Sequence, residues 1–416
     1  MSELQAVRGM HDVLPEELPR WRRVEEVCRT VSARFGYEEI RTPIVEYAAL
    51  YSRSVGDSSD IVVKEMYTFT DRGGDLLALR PELTAGVVRA FLQHRLFQRR
   101  SLWRLWYYGP AFRYERPQKG RYRLFHQYGA ECFGSPYPES DIEVILLAAA
   151  ILRELGIREY SLQLNTLGTP DVRSRYRGAL VAHFAAVRDH LSPESQQRLV
   201  RNPLRILDSK HPSDQPFIEQ APSILDFLDA ESRQHFETVY KALQAEGVPV
   251  ALNPRLVRGL DYYTHTVFEF VSPRLGAQNA FGGGGRYDGL VESFGGPPVP
   301  GVGFAFGVER LLLLMPDVAA ESAVDVYVAT VGMMEAARAV VSSLRAAGYR
   351  AVGDLQRRSL KAQMREADRL GARVAVIVGE SEWQRRSVIV RLLSDSTQWE
   401  CSLEELPKNV RQALSR

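Results

Sequence analysis

Four stretches of this 416-residue chain crowd arginine, glutamate, glutamine and tyrosine together in ways that suit a polar, phosphate-bearing ligand. The most basic is "FRYERPQKGRYRLF" (112–125), with Arg113, Arg116, Lys119, Arg121 and Arg123 against one acid, Glu115, and with Tyr114, Tyr122 and Phe125 interleaved. A guanidinium fork matches phosphate oxygens and an aromatic face stacks on a purine; a solvated charged face is the competing reading. "HQYGAE" sets Gln127 and Glu131 four residues apart. On a strand that spacing puts an amide and a carboxylate on one face, with His126 and Tyr128 on the other. In "LRPELTAG" (79–86), Glu82 and Thr84 stand at a predicted helix start, as caps or as a carboxylate that captures an ammonium group. "RGLDYYTHTVFEF" (258–270) leads an aromatic, β-branched strand with Arg258, Asp261, Tyr262, Tyr263 and His265, either a hydrogen-bonded network or a ligand site.

Two glycine-rich stretches accompany them. "GGGGRYDGL" (282–290) permits close backbone approach but lacks the spaced glycines of dinucleotide sites, and "GAQNAFGGGGRYDGLV" reads as a loop. "GVGFAFGVERLLLL" (301–314) ends in an apolar helix carrying Glu309 and Arg310, which reads as close strand–helix packing or as an arginine over a nucleotide.

The elements that must position these groups follow from periodicity. Trp21, Val24, Val27, Cys28, Val31 and Phe35 predict a helix over 18–36, and Gly36 suits its end. "YEEIRTPIVEY" reads as a strand broken at Pro43. A helix is expected over 82–97. The aromatic stretches on either side of "RPQKGRY" predict an antiparallel hairpin. An apolar helix over 139–155, a strand at "YSLQLNTLG" and strands over 251–271 complete this part, with a helical insertion at about 170–235. After a compositional break at 315–323, strands alternate with helices, which predicts a separate α/β domain. From 324 to 416 there are 15 Lys/Arg against 11 Asp/Glu, a balance of +4.

Composition is that of a globular chain, 45% hydrophobic and 25% charged, with a net charge of +2 that neither demands nor excludes nucleic acid. Three scattered cysteines, Cys28, Cys132 and Cys401, argue for free thiols in a reducing compartment and against a disulfide framework or zinc site. No apolar signal core opens the sequence, and the longest apolar run, 144–152, is far short of the roughly 20 residues that span a bilayer. The expectation is a cytoplasmic protein.

Taken together, the first helix and broken strand, "FRYERPQKGRYRLFHQYGAE" and "GVGFAFGVERLLLL" resemble motifs one, two and three of the class II aminoacyl-tRNA synthetases. "RGLDYYTHTVFEF", "GGGGRYDGL", "AVRGMHDVLPEE", "NPLRILDSK" and "SLKAQMREADRLGARVAVIVGE" resemble the histidyl-tRNA synthetase family across nearly the whole chain. The resemblance implies an α+β catalytic domain over 1–320, built on an antiparallel sheet of six or more strands. An α/β anticodon-binding domain would occupy 324–416, and the chain would form a homodimer through motif one, 18–47. It also implies ligation of L-histidine to tRNA(His) through a histidyl-adenylate, with ATP as substrate and Mg2+ as cofactor. By the same resemblance Arg113 and Arg258 are catalytic, and Glu82, Leu83, Thr84, Gln127, Glu131, Tyr262 and Tyr263 bind histidine. Arg113, Arg121, Phe125, Arg258 and Arg310 bind ATP, and Arg116 and Gln118 meet the tRNA acceptor end. Asp261 and His265 are read as strand support. The closing "GESEWQRRSVIVRLLSDSTQWEC" is looser than the family pattern. Two other readings are a histidine-binding regulatory paralogue and a non-enzymatic nucleic-acid-binding protein. The first loses ground because Arg113, Arg258 and the α/β tail are kept; the second does not require Glu82, Gln127 and Glu131.

Overall fold

Aromatic side chains are concentrated along both stretches beside the basic turn, and these pair as the longest strands of the structure. It is a computed structural model that describes residues 4–55, 61–258, 262–276, 278–317 and 324–415. The chain divides into two units, 1–318 and 319–416. In chain order the strands of the first are β1 (Glu38–Glu39), β2 (Val45–Tyr47), β3 (Tyr67–Thr70), β4 (Leu76–Leu79), β5 (Trp103–Phe112) and β6 (Leu124–Phe133). They continue as β7 (Ser161–Thr166), β8 (Val250–Leu252), β9 (Thr264–Val271), β10 (Ala280–Arg286) and β11 (Gly301–Gly307). Eight form one sheet in the order β1-β5-β6-β11-β10-β9-β7-β8, antiparallel through the centre and parallel only at the edge pairs β1/β5 and β7/β8. The strands β2, β4 and β3 make a small separate sheet.

The period of two divides the large sheet cleanly. Trp106, Tyr128, Phe268 and Phe304 join a core with the Leu18–Arg34, Pro138–Glu154, Ala230–Ala245 and Val308–Leu314 helices. Tyr107, Phe133 and Val267 join a second core with the Thr84–Gln93 and Pro170–Ala185 helices. The first helix buries Val24, Val27, Cys28 and Val31 inside the chain, each valine worth roughly 1.5–3 kcal/mol of transfer free energy. Its apolar face is therefore an intramolecular core element, and gives no support to a dimer. The apolar run 144–152 lies within the Pro138–Glu154 helix of the same core.

The glycine run read as a loop is instead the central strand β10. Its register sets Gly285 beside Gly303, and Gly283 beside both Ala305 and Glu269. A Cβ on Gly283 would lie 2.7 Å from the Phe268 carbonyl and 2.9 Å from an Arg258 nitrogen. Glycine is there because a neighbouring main-chain carbonyl and the Arg258 side chain crowd it, not because the chain turns.

The helical insertion is present as Pro170–Ala185, Pro193–Arg201 and Gln215–Glu219 with 3-10 turns between them. Its Val172, Tyr176, Leu180 and Phe184 share one apolar cluster with Leu83 and Tyr263, so it packs into the first unit. The Ala230–Ala245 helix starts within the span read as insertion but places Phe236, Val239 and Leu243 in the first core.

In the second unit β12 (Val326–Thr330), β13 (Ala351–Gly353), β14 (Val374–Val378), β15 (Ser387–Leu392) and β16 (Gln398–Ser402) form a sheet ordered β13-β12-β14-β15-β16. The first three are mutually parallel and the last two antiparallel. Alternate residues of β12 face opposite layers. Val326 and Val328 meet the Met334–Ala346 and Leu406–Leu414 helices, while Tyr327 and Ala329 meet the Leu360–Arg369 helix. The strand β16 and the short Glu380–Gln384 helix have no counterpart in the sequence reading.

Candidate active site

A cleft of about 230 Å³ opens on the large sheet beside β6, β10 and β11. Gln127 and Glu131 of β6 both line it, while His126 and Tyr128 turn away. The His126 ring sits 3.0 Å from Glu309, and the Tyr128 hydroxyl 2.7 Å from that of Ser32 in the first helix. The alternation on β6 therefore separates a ligand face from a packing face.

At one end, Glu131 is 1% exposed. Thr84 Oγ1 donates to its Oε1 at 2.7 Å and the Tyr107 hydroxyl donates to the same oxygen at 3.0 Å, while Tyr287 donates to Oε2. Burial pushes the carboxyl up to about 7 against the pull of these three donors. Across the strand pair Gly303 leaves the space Glu131 needs, since a Cβ there would lie 1.6 Å from Oε2. Glu82 accepts from the backbone N–H groups of Thr84 at 2.7 Å and Ala85 at 2.9 Å, so it caps the Thr84–Gln93 helix while lining the cleft. Burial raises its pKa above the ordinary carboxylate value. The buried Oε1 of Gln127 has no hydrogen-bond partner among the described residues, which points to a ligand donor. Tyr262, Tyr263 and Tyr287 stand together, the first two with ring centroids 4.6 Å apart.

Arg113, Arg121, Arg258 and Arg310, from three chain segments, line the rest of the cleft, with Arg258 between Glu269 and Tyr263. Arg113 donates to the Pro81 carbonyl at 2.9 Å and lies 5.2 Å from the Phe125 ring. Arg121 pairs with Glu115 at 3.2 Å, and Arg258 with Glu269. Arg310 donates to the carbonyls of Gln278 at 2.7 Å, Gly120 at 3.3 Å and Ala280. Burial, and then Arg121, lower its pKa to about 10. Such an end can hold a polyphosphate, and the other an uncharged ring with an N–H donor.

Glu82, Thr84, Arg113, Arg121, Phe125, Gln127, Glu131, Arg258, Tyr262, Tyr263 and Arg310 thus converge. Leu83 does not line the cleft; its side chain is buried in the second core. Arg116 and Gln118 are exposed on the turn between β5 and β6, where Gln118 and Arg121 exchange backbone hydrogen bonds of 3.0 and 2.8 Å. His265 has a φ of 42° and stacks on His235 at 5.2 Å, away from the cleft, while Asp261 lies outside the described residues. Arg286, after the glycines, is fully buried and bound to Asp141, Ser140 and Asp288.

Glu115, Tyr122, Glu269, Tyr287 and Glu309 also line the cleft; sequence reasoning singled out Glu115, Tyr122 and Glu309 without a site role and passed over Glu269 and Tyr287. Glu269 carried a signal, a lone acid between Phe268 and Phe270. Tyr287 carried none, because only the β10–β11 register brings it to Glu131.

Residues 9–311 match the family model described as "Histidyl-tRNA synthetase", and residues 325–413 match "Anticodon binding domain". A protein named histidine–tRNA ligase from Cyanothece sp. is 48% identical over 96% of this chain and 94% of its own length. One of the same name from Streptococcus pneumoniae is 46% identical over 100% and 98%. The crystal structure of the apo S. aureus histidyl-tRNA synthetase superposes with a TM-score of 0.83 at 34% identity, covering 98% of this chain and all of that one.

Proposed function

The chain belongs to the histidyl-tRNA synthetase family, and from that premise we propose how its cleft performs the reaction. The activity is ATP-dependent ligation of L-histidine to tRNA(His) through a histidyl-adenylate, with release of AMP and pyrophosphate. The observation that carries the residue assignment is one cleft joining a basic end to a buried acid-and-phenol end.

The histidine carboxylate is ionised at neutral pH, so its attack on the α-phosphorus needs no general base. It needs positioning and cancellation of negative charge as pyrophosphate leaves. Arg113 and Arg258 supply that charge. Glu131 and Tyr263 address the imidazole, which offers one donor and one acceptor when neutral, with Tyr262 beside them. Glu82, Thr84 and Gln127 hold the ammonium group; any contact from Leu83 comes through its main chain. Phe125 and Arg310 flank adenine, and Arg121 meets the terminal phosphates. In the second step the terminal ribose hydroxyl of the tRNA attacks the adenylate, with the exposed Arg116 and Gln118 facing the acceptor end.

Magnesium takes hard oxygen ligands and commonly binds through one or two carboxylates plus substrate phosphates. Glu115 and Glu269 are cleft carboxylates of that kind and would hold it, where it would offset phosphate charge. The catalytic domain is assigned to 1–320 and the anticodon-reading domain to 324–416. A homodimer is supported by Ile44, Val45, Tyr47, Phe69 and Leu76, large apolar side chains exposed on or beside the small sheet of β2, β3 and β4. Three buried free thiols suit a reducing cytoplasm. Among the described residues no helix is long and apolar enough to cross a membrane.

The test is histidine-dependent ATP–pyrophosphate exchange. Exchange lost in folded Arg113→Ala and Arg258→Ala protein supports the assignment. A folded wild-type chain that binds histidine but supports no exchange would favour the regulatory reading.

A further inference from the structure

Tyr107 lies on β5, 2% exposed, and does not line the cleft. Its neighbours on the strand, Trp103, Leu105 and Ala111, belong to the same apolar cluster, where a phenylalanine would fill nearly the same volume. What the phenol adds is a hydroxyl. That hydroxyl donates to Glu131 Oε1 and lies 3.2 Å from Thr84 Oγ1, which donates to the same oxygen. Opposite it on β6 stands Gly129, where a Cβ would come within 2.3 Å of the hydroxyl. The glycine leaves the room that the hydroxyl and the ring edge bearing it occupy.

We propose that Tyr107 is a positioning residue for substrate selection, acting through Glu131 to fix the carboxylate so that it accepts from the histidine imidazole N–H. The inference rests on the reading of Glu131 given above. Two donors on Oε1 and Tyr287 on Oε2 leave the carboxylate one orientation, with acceptor capacity left for a ligand. Glu131 is faced by Glu82 ahead of the Thr84–Gln93 helix, Tyr107 of β5, Tyr287 after β10, and Tyr262 and Tyr263 ahead of β9, with Arg258 on the same cleft. From β11 only Gly303 faces it. Burial already holds its pKa near 7, and Tyr107 is one of the donors that lower it. Loss of the hydroxyl therefore raises it further and leaves less carboxylate at neutral pH.

The experiment compares Tyr107→Phe with wild type in pyrophosphate exchange, with histidine and ATP varied separately between about pH 6 and about pH 9. A histidine KM raised roughly tenfold near neutral pH is expected, since one hydrogen bond to a charged group is lost. The ATP KM should stay within about twofold, and the histidine deficit should shrink as alkali restores the carboxylate. An unchanged histidine KM, an equal loss for both substrates, or a deficit that ignores pH would each overturn the proposal. Glu131→Gln is measured in parallel. An unchanged histidine KM there overturns the Glu131 reading itself, whereas impairment there beside a wild-type-like Tyr107→Phe overturns Tyr107 alone. Should Tyr107→Phe not fold, Gly129→Ala, whose methyl group pushes the phenol and its hydroxyl away from Glu131, is judged by the same criteria.

Discussion

At one end of the cleft a carboxylate is surrounded by hydroxyl donors of the protein, Thr84, Tyr107 and Tyr287. At the other, arginines are tied to acids and main-chain carbonyls, Arg121 to Glu115, Arg258 to Glu269 and Arg310 to Gln278. The first arrangement needs no rearrangement to receive an N–H donor. The second meets phosphate with partners already in place, and each guanidinium, with five N–H groups, keeps donors for it. The difference separates two tasks. Selection of a small ring favours buried, preset polar groups, whose mispairing with an isostere is costly. Charge cancellation at phosphorus needs positive charge held where its contacts strengthen as the reaction proceeds.

Variants at the two ends should therefore fail differently. Arg258→Ala should lower the exchange rate by about 10²–10³-fold with much less effect on histidine binding; histidine affinity by calorimetry beside exchange kinetics reads this, and a rate within a few-fold of wild type removes Arg258 from the chemistry. Gly303→Ala drives a methyl group into Glu131. An overpacking cost of roughly 1–3 kcal/mol borne by the histidine pocket predicts about a five- to 150-fold rise in histidine KM with ATP KM little changed, and equal losses for both substrates would blur the two ends into one.

Glu131→Gln should cost about tenfold in histidine affinity through loss of a charge-assisted acceptor. Its pH dependence carries a sign. Ionised Glu131 is the acceptor, so the rise in melting temperature produced by histidine should shrink as pH falls through about 7. Without ligand the sign reverses. The folded state holds the proton more tightly than the unfolded chain, so this carboxyl contributes stability below its ordinary pKa and loses it as pH rises through about 7. Melting curves with and without histidine across that range check both, and an identical profile in Glu131→Gln would remove Glu131 from the titration. The smallest change is Phe125→Leu, expected to raise ATP KM about threefold by loss of ring stacking; a larger rise in histidine KM would place Phe125 at the wrong end.

Much of the site was legible because strand periodicity is local. The spacing of Gln127 and Glu131 on β6 assigns them to one face whatever lies across from them. Aromatic stretches on either side of the basic turn likewise predicted the β5–β6 hairpin, and apolar residues at helical spacing the first helix. Composition shift and strand–helix alternation announced the second unit. Glycines misled, since the same residue marks a turn and a crowded strand. Only the register of β10 between β9 and β11 shows that its glycines are crowded by the carbonyls and side chains of the flanking strands.

What this sequence determined by itself is which residues share a face, since side-chain direction follows from a neighbour one or two bonds along the chain. What the tertiary structure alone decided is which faces meet. Tyr287 reaches Glu131 from 156 residues away and Glu269 reaches Arg258 past the strand mouth. The buried hydroxyl of Tyr107 becomes a partner only once β5 pairs with β6. Hydrogen bonding and burial act through space, so the charge state of Glu131 belongs to the packed sheet and cannot be read from any one stretch of chain.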